Sequence, residues 1–335
     1  MEYAFDEAAK LIIKAGHELV KKGYIARTWG NISARLSDSE FLITPSGIAY
    51  EDLTPDKLVA CTIEDCNYDA DVKPSSEKGV HAAAYQQRPD CNFVIHTHQL
   101  YATAVGAAGE TVYGRDDNEK ALLGTSGVPC AKYGISSTKK LTMHMSECMK
   151  ENPSSNIFFM RYHGVLSLGE DYEQCFSRIE LLEDICRVLI NICGCAPHPK
   201  RKDMPSLNFL KQKAIIVDDS DYAVLASAGG KKLFPISDDM AQIAGVSFAC
   251  IDPDDKEFDK KISKALKSSD AVFVKDCGAI CVAKEQEECE AIEQVLDKNC
   301  LAYLYCKSKG QNKHIGAFDA KLQRTVYKFK YSKLK

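Results

Sequence analysis

The pattern of apolar and polar positions divides the chain into elements before any chemistry is considered. Ala8, Leu11, Ile12, Ala15, Leu19 and Val20 recur at helical spacing and Gly23 ends the run, which predicts a helix over residues 2–22. The turn Thr28-Trp29-Gly30 leads into a strand through Asn31, Ile32 and Ser33 to Arg35. A second strand over 40–44 is closed by Thr44-Pro45-Ser46-Gly47, and residues 58–63 predict a third. Pro74-Ser75-Ser76-Glu77 opens a helix that runs to Arg88, with Ser75 or Ser76 as its cap and Glu77 in its first turn. Asn92-Phe93-Val94-Ile95-His96-Thr97-His98 reads as a buried strand with a His-x-His end.

Further on, residues 100–108 and 136–150 predict helices, and 110–135 a loop-rich stretch with one short strand over 128–131. A strand over 156–162 leads to His163-Gly164. The amphipathic run 170–193 turns Phe176, Ile179, Leu182, Cys186, Leu189 and Cys193 inward, and Gly194 is a natural stop. Residues 194–206 hold three prolines and a basic cluster with no periodicity, and read as a solvated linker.

Beyond it, part of the pattern returns. Phe159-Met160-Arg161-Tyr162-His163-Gly164 aligns without gaps on Phe273-Val274-Lys275-Asp276-Cys277-Gly278. In the same register Cys175 meets Cys289, Leu182 meets Leu296 and Cys186 meets Cys300. Asp116-Asp117 with Leu123-Gly124 echoes Asp238-Asp239 with Ala244-Gly245. The second copy places Cys277 at the position of His163, and residues 207–335 contain His314 as their one histidine. The expected organisation is therefore a domain over 1–195, a linker over 196–206, and a shortened copy without metal ligands over 207–335.

Composition adds mainly exclusions. The 335 residues carry a formal net charge of −4, so no basic surface argues for nucleic acid or an anionic membrane. No apolar run approaches a membrane span, and residues 1–22 mix charges into every turn, unlike a signal peptide. The fifteen cysteines are scattered at apolar positions without a paired framework, which fits buried, reduced thiols in a cytoplasmic protein.

The chemistry gathers in the first domain. His96 and His98 share one face of their strand, and His163 stands at the end of another. Three neutral imidazoles leave a divalent ion, zinc first, with an open position, as at a catalytic centre. Such an ion polarises a carbonyl and stabilises an enediolate, and a nearby carboxylate such as Glu77 can move the proton. Backbone N–H groups at Gly30-Asn31, Ser46-Gly47 and Ser75-Ser76 offer an anion site suited to phosphate. The remaining histidines, His17, His81, His144, His198 and His314, read as surface or structural, although His81 follows Glu77 by one helical turn.

In the order and identity of these motifs, roughly residues 5–195 resemble the class II aldolase/adducin family. The resemblance implies a three-layer α/β/α domain around a mixed or antiparallel sheet. It implies zinc, or another divalent ion such as manganese, on His96, His98 and His163. It gives the acid/base role to Glu77, and phosphate contacts to Asn31, Ser46, Gly47, Ser75 and Ser76, with Thr28 and Gly30 beside them. The implied reaction is retro-aldol cleavage of a phosphorylated ketose between C3 and C4, giving dihydroxyacetone phosphate and an aldehyde. Epimerases of the family commonly carry Asp after the two serines, so the glutamate here leans toward cleavage. The family's tyrosine after His-x-His has no counterpart in this chain, whose candidates there are Asp116, Asp117, Asn118 and Tyr113. Epimerase and dehydratase chemistry on the same metal, or a non-catalytic adducin-like scaffold, are the competing readings. A homo-oligomer is the expected assembly.

Overall fold

The computed structural model describes residues 2–25, 28–194, 199–211 and 214–330, and these fall into two compact units, Met1–Arg187 and Val188–Lys335. Cys195 and His198 lie outside the described residues.

In the first unit the order is α1 (Phe5–Lys21), β1 (Asn31–Arg35), β2 (Glu40–Ile43), β3 (Val59–Thr62), α2 (Lys78–Gln87), β4 (Phe93–Thr97) and α3 (Leu100–Ala108). There follow α4 (Asp117–Leu123), β5 (Cys130–Ala131), α5 (Lys139–Glu151), β6 (Ile157–Met160), β7 (Gly164–Gly169) and α6 (Tyr172–Ile192), whose last turns belong to the second unit. The expected mixed sheet is present: seven strands in the order β3-β2-β1-β4-β7-β6-β5, antiparallel except for the β5–β6 pair. Adjacent residues of β4 serve opposite layers. Val94 packs with Val80, Tyr85, Met145 and Leu166 in the core shared with α2 and α5, whereas Phe93 meets the rings of Tyr3 and Tyr172.

Three local expectations change. α2 begins at Lys78, not at the serines: Glu77 stands at the residue before the helix with φ −103°, and no side chain caps it. Ser75 Oγ instead accepts from Glu77 N at 3.3 Å. The stretch 110–135 contains α4, capped by the Asp116 carboxylate on Glu119 N. The residues after His163 form β7, an additional strand, before α6 begins.

The second unit runs β8 (Ala214–Asp218), α7 (Asp221–Ser227), α8 (Asp238–Ile243), β9 (Cys250–Ile251), α9 (Phe258–Ala265), β10 (Ala271–Val274), β11 (Gly278–Ala283), α10 (Gln286–Ser308) and α11 (Ala317–Lys330). Its sheet order, β8-β11-β10-β9, repeats β4-β7-β6-β5 with the same antiparallel, antiparallel and parallel pairings. Thr97 lies opposite Val165 as Asp218 lies opposite Ala279, each one residue past the strand-opening glycine. This register sets Val217, Asp219 and Cys277 where the first unit has His96, His98 and His163. Tyr162 and Asp276, at matching places, share the left-handed backbone region (φ 63° and 61°).

Of the solvated linker expected over 196–206, residues 199–206 are described: Lys200, Arg201 and Lys202 are exposed, while Met204 packs, with Leu207, Phe209 and Leu210 just beyond the stretch, on the apolar face of the second sheet beside α9. Arg201 pairs with Asp221, Lys202 with Asp254 at 2.7 Å, and Cys277 Sγ donates to the Asp203 carbonyl at 3.5 Å. The basic residues had local acidic partners that spacing along the chain does not reveal.

Candidate active site

The site forms where β4 and the β6–β7 turn deliver three imidazoles to one point. His96 Nε2 lies 2.9 Å from His98 Nε2 and 3.1 Å from His163 Nε2, and all three residues are buried. His96 and His163 rings stack at 4.9 Å with their planes 8° apart. His96 Nδ1 donates to the Val165 carbonyl at 2.8 Å. A carbonyl only accepts, so the His96 proton sits on Nδ1 and Nε2 turns a lone pair toward the other two rings. Burial, the largest effect, pushes His96 well below the ordinary imidazole range against the pull of Glu77. Converging ring nitrogens, at least one of them a lone pair, in a dry pocket are the donor set of a divalent cation. Among the described residues these three histidines are the group able to hold one.

Two glycines make the convergence possible. A Cβ on Gly164 would lie 2.2 Å from the Thr97 carbonyl oxygen and 3.1 Å from His96 Cε1, so the β6–β7 turn reaches the site only without a side chain. Gly30 has φ +73°, and a Cβ there would meet the His96 carbonyl oxygen at 2.6 Å.

Glu77 enters from the head of α2. Its Oε1 lies 3.0 Å from His163 Nε2 and accepts from Ser136 Oγ at 3.0 Å. Its Oε2 lies 3.4 Å from His96 Nε2 and accepts from Asn31 Nδ2 at 3.0 Å. Burial alone would raise its pKa, but His163, His96 and the Asn31 amide together hold it well below the usual carboxylate range. The group in the resting site is a carboxylate.

The turns expected to bind phosphate assemble beside it, with their amides partly engaged. Ser46 N donates to the Lys73 carbonyl at 2.8 Å and Ser75 N to the Thr44 carbonyl at 2.9 Å, which zips 44–46 onto 73–75. Asn31 turns its amide between Glu77 and His81. Ser76 Oγ lies 2.7 Å from Ser137 Oγ. Gly30 and Ser76 are half-buried, and Thr28 and Gly47 are exposed. Ser136 and Ser137 were not expected here; the serine pair before α5 was their one signal. Trp29 stacks on His98, with ring centroids 6.5 Å apart and planes 9° apart. His81, read from sequence as surface or structural, is fully buried and bonded to Asn31 and Ser33.

Of the acid/base candidates of the following loop, one is a helix cap and the others, Asn118 among them, are exposed. Asp116 caps α4, the Asp117 side chain is fully exposed beside Lys120, and Tyr113 is 60% exposed.

Comparison with known proteins places these features in a family. The model described as "Class II Aldolase and Adducin N-terminal domain" matches residues 10–190. An Escherichia coli 5-methylthioribulose-1-phosphate/5-deoxyribulose-1-phosphate aldolase is 32% identical over 219 residues, 65% of this chain and 97% of that protein. The E. coli L-fuculose phosphate aldolase is also 32% identical, over 57% of this chain and 88% of its own length. An E. coli 3-oxo-tetronate 4-phosphate decarboxylase is 28% identical over 53% of this chain and 82% of its own. Among solved structures, an L-fuculose 1-phosphate aldolase superposes with a TM-score of 0.52 at 24% identity, covering 58% of this chain and 90% of that one.

Proposed function

Since the chain belongs to the class II aldolase and adducin family, we propose that it is a zinc-dependent aldolase that cleaves a phosphorylated ketose to dihydroxyacetone phosphate and an aldehyde. The observation that carries this reading is the Glu77 carboxylate set against three converging imidazoles, 3.0 Å from His163 Nε2 and 3.4 Å from His96 Nε2. His96, His98 and His163 would hold the ion, which when bound supplies Lewis-acid polarisation of the substrate carbonyl and stabilises enediolate charge.

The residues of the chain carry the rest. Breaking the C3–C4 bond releases the C4 hydroxyl proton and leaves its electron pair at C3. The proton balance closes when Glu77, a carboxylate at rest, takes up that proton and delivers it to C3. With Asp116 used as a helix cap and Tyr113 at the surface, one shuttling carboxylate is the economical assignment. The phosphate is assigned to the hydroxyls of Ser46, Ser75 and Ser76 and to the amides remaining at Gly30, Asn31, Gly47 and Ser76, with Thr28 at the rim.

We read residues 1–195 as the catalytic domain, 196–206 as a connector and 207–335 as a degenerate copy. The repeated strand order supports this, as does the presence of Val217, Asp219 and Cys277 at the ligand positions. A homo-oligomer of such chains in the cytoplasm is the working assembly; sedimentation at micromolar concentration tests it, and a fully active monomer would remove it.

The test of function begins with metal content. About one equivalent of zinc, manganese or another divalent ion is expected in the parent protein and none in the His96→Ala, His98→Ala double variant. L-fuculose 1-phosphate, 5-methylthioribulose 1-phosphate and 3-oxo-tetronate 4-phosphate are then offered. Release of dihydroxyacetone phosphate supports the aldolase, and release of carbon dioxide instead would move the assignment to a decarboxylase. Glu77→Gln is expected to keep the metal and lose turnover by about 10²- to 10⁴-fold. A folded, metal-free parent that refuses added zinc would sink the enzyme reading in favour of a scaffold.

A further inference from the structure

A buried row of polar side chains runs from the candidate site into the layer between β1 and α2. Glu77, His81 and Tyr85 stand one helical turn apart, and Asn31 and Ser33 stand two residues apart on β1. Four helical residues rise about 6 Å and two strand residues about 6.6 Å, so the two sets match step for step. The Tyr85 hydroxyl lies 2.7 Å from Ser33 Oγ, and Ser33 Oγ lies 2.7 Å from His81 Nδ1. His81 Nε2 lies 2.5 Å from Asn31 Oδ1, and Asn31 Nδ2 lies 3.0 Å from Glu77 Oε2. All five side chains are buried.

Elementary donor and acceptor rules give the row one direction. The Glu77 carboxylate only accepts, so Asn31 presents its NH₂ to Glu77 and its carbonyl oxygen to His81. That oxygen only accepts, so the His81 proton is on Nε2. Nδ1 of a neutral ring is then an acceptor, Ser33 donates to it, and Tyr85 donates to Ser33. Burial pushes His81 down to about 3 against the opposing charge of Glu77. The Tyr85 hydroxyl is pushed well above its ordinary range, again chiefly by burial. Neither group changes charge near neutrality.

We infer that His81, backed by Ser33 and Tyr85, is a positioning residue: it locks the Asn31 amide so that its N–H holds Oε2 of Glu77 and fixes the orientation of the carboxylate beside His96 and His163. This rests on Glu77 being the acid/base group of the proposed reaction. Among its described residues the second unit has neither counterparts of β1 and α2 nor such a row.

The first test is spectroscopic and needs no turnover. In protein labelled with ¹⁵N-histidine, His81, identified by its absence in His81→Gln, should show a bare Nδ1 and a protonated Nε2 from pH 5 to 8. A Nδ1–H tautomer or an imidazolium at neutral pH would overturn the row. The second test is kinetic. His81→Phe should lower kcat by about 10- to 100-fold with KM and metal content nearly unchanged, as expected for a small misplacement of a reacting group. His81→Gln, which keeps a donor for Asn31, should recover most of the loss. Should His81→Phe fail to fold, Ser33→Ala and Tyr85→Phe serve instead, with smaller losses in kcat. Unchanged kcat in the folded variants would refute the positioning role. Full turnover in Glu77→Gln would refute the functional reading instead, while the tautomer measurement still judges the row.

Discussion

At the residue scale, Gly164 shows how much of the site depends on an absent side chain. The nearest atom to a Cβ there is a backbone oxygen, which cannot swing aside as a side chain can. Gly278, its counterpart in the second unit, has a similar close approach: a Cβ would lie 2.1 Å from the Asp218 carbonyl oxygen. The glycine is therefore required by the strand junction itself, with or without metal. Two outcomes follow from this pairing. Gly164→Ala should weaken metal affinity by about 10- to 100-fold by displacing His96 and lower the stability of the first unit. Gly278→Ala should destabilise the second unit and leave the metal content at the parent value. Equilibrium dialysis with zinc, alongside thermal unfolding of both variants, separates them; equal loss of metal in the two would contradict the argument.

At the element scale, the two units use one carboxylate for the same job. Glu183 on α6 accepts from Tyr101 N at 3.0 Å and Ala102 N at 2.9 Å, closing the start of α3. Asp297 stands at the corresponding place on α10 and accepts from Ser220 Oγ, whose oxygen in turn accepts from Ala223 N at the start of α7. Glu183→Ala leaves one buried and one half-buried amide without that acceptor, and should cost about 1–3 kcal/mol of first-unit stability in denaturant unfolding. A loss below about 0.5 kcal/mol would mean that water replaces the carboxylate. Elements of this kind were unevenly legible in the sequence. The His-x-His strand and the Ser-Ser-Glu turn announce themselves because residue type and period coincide. β7 does not: the turn before it carries Tyr162 in the left-handed region, where a glycine or asparagine would have marked the hairpin. α4 is seven residues long, too short for a periodic signal, although its Asp116 cap was visible. Ser136 reaches Glu77 through tertiary packing that no local pattern encodes. His81 was placed one turn from Glu77 by the sequence, but only the burial of both of its nitrogens against β1 gives it a role.

At the scale of the whole molecule, the two units carry buried titratable groups of opposite sign. His81 stays neutral in the fold down to about 3, whereas in the unfolded chain it takes a proton near its ordinary value of about 6.5. Between those values the unfolded state holds the extra proton. The contribution of His81 is thus complete above about 6.5 and shrinks as pH falls, by up to about 1.4 kcal/mol per pH unit. In the second unit, burial and then the neighbouring Asp218 push Asp297 up to about 7, and Asp218 and Glu293 beside it are raised as well. Here the folded state holds the extra proton between about 4 and 7, so the contribution is complete below about 4 and is lost as pH rises through 7. The first unit should therefore weaken toward acid and the second toward neutrality. The single tryptophan, Trp29, lies in the first unit, so its fluorescence reports that unit alone while far-ultraviolet circular dichroism reports both. In chelator-treated protein, the fluorescence midpoint in urea should fall between pH 7.5 and 5, and the remaining dichroism transition should move the other way. Asp297→Asn, which keeps an acceptor for Ser220, should raise the second transition at pH 7.5 and flatten its pH dependence. If both transitions shift together and Asp297→Asn changes neither, the two units do not hold these protons separately.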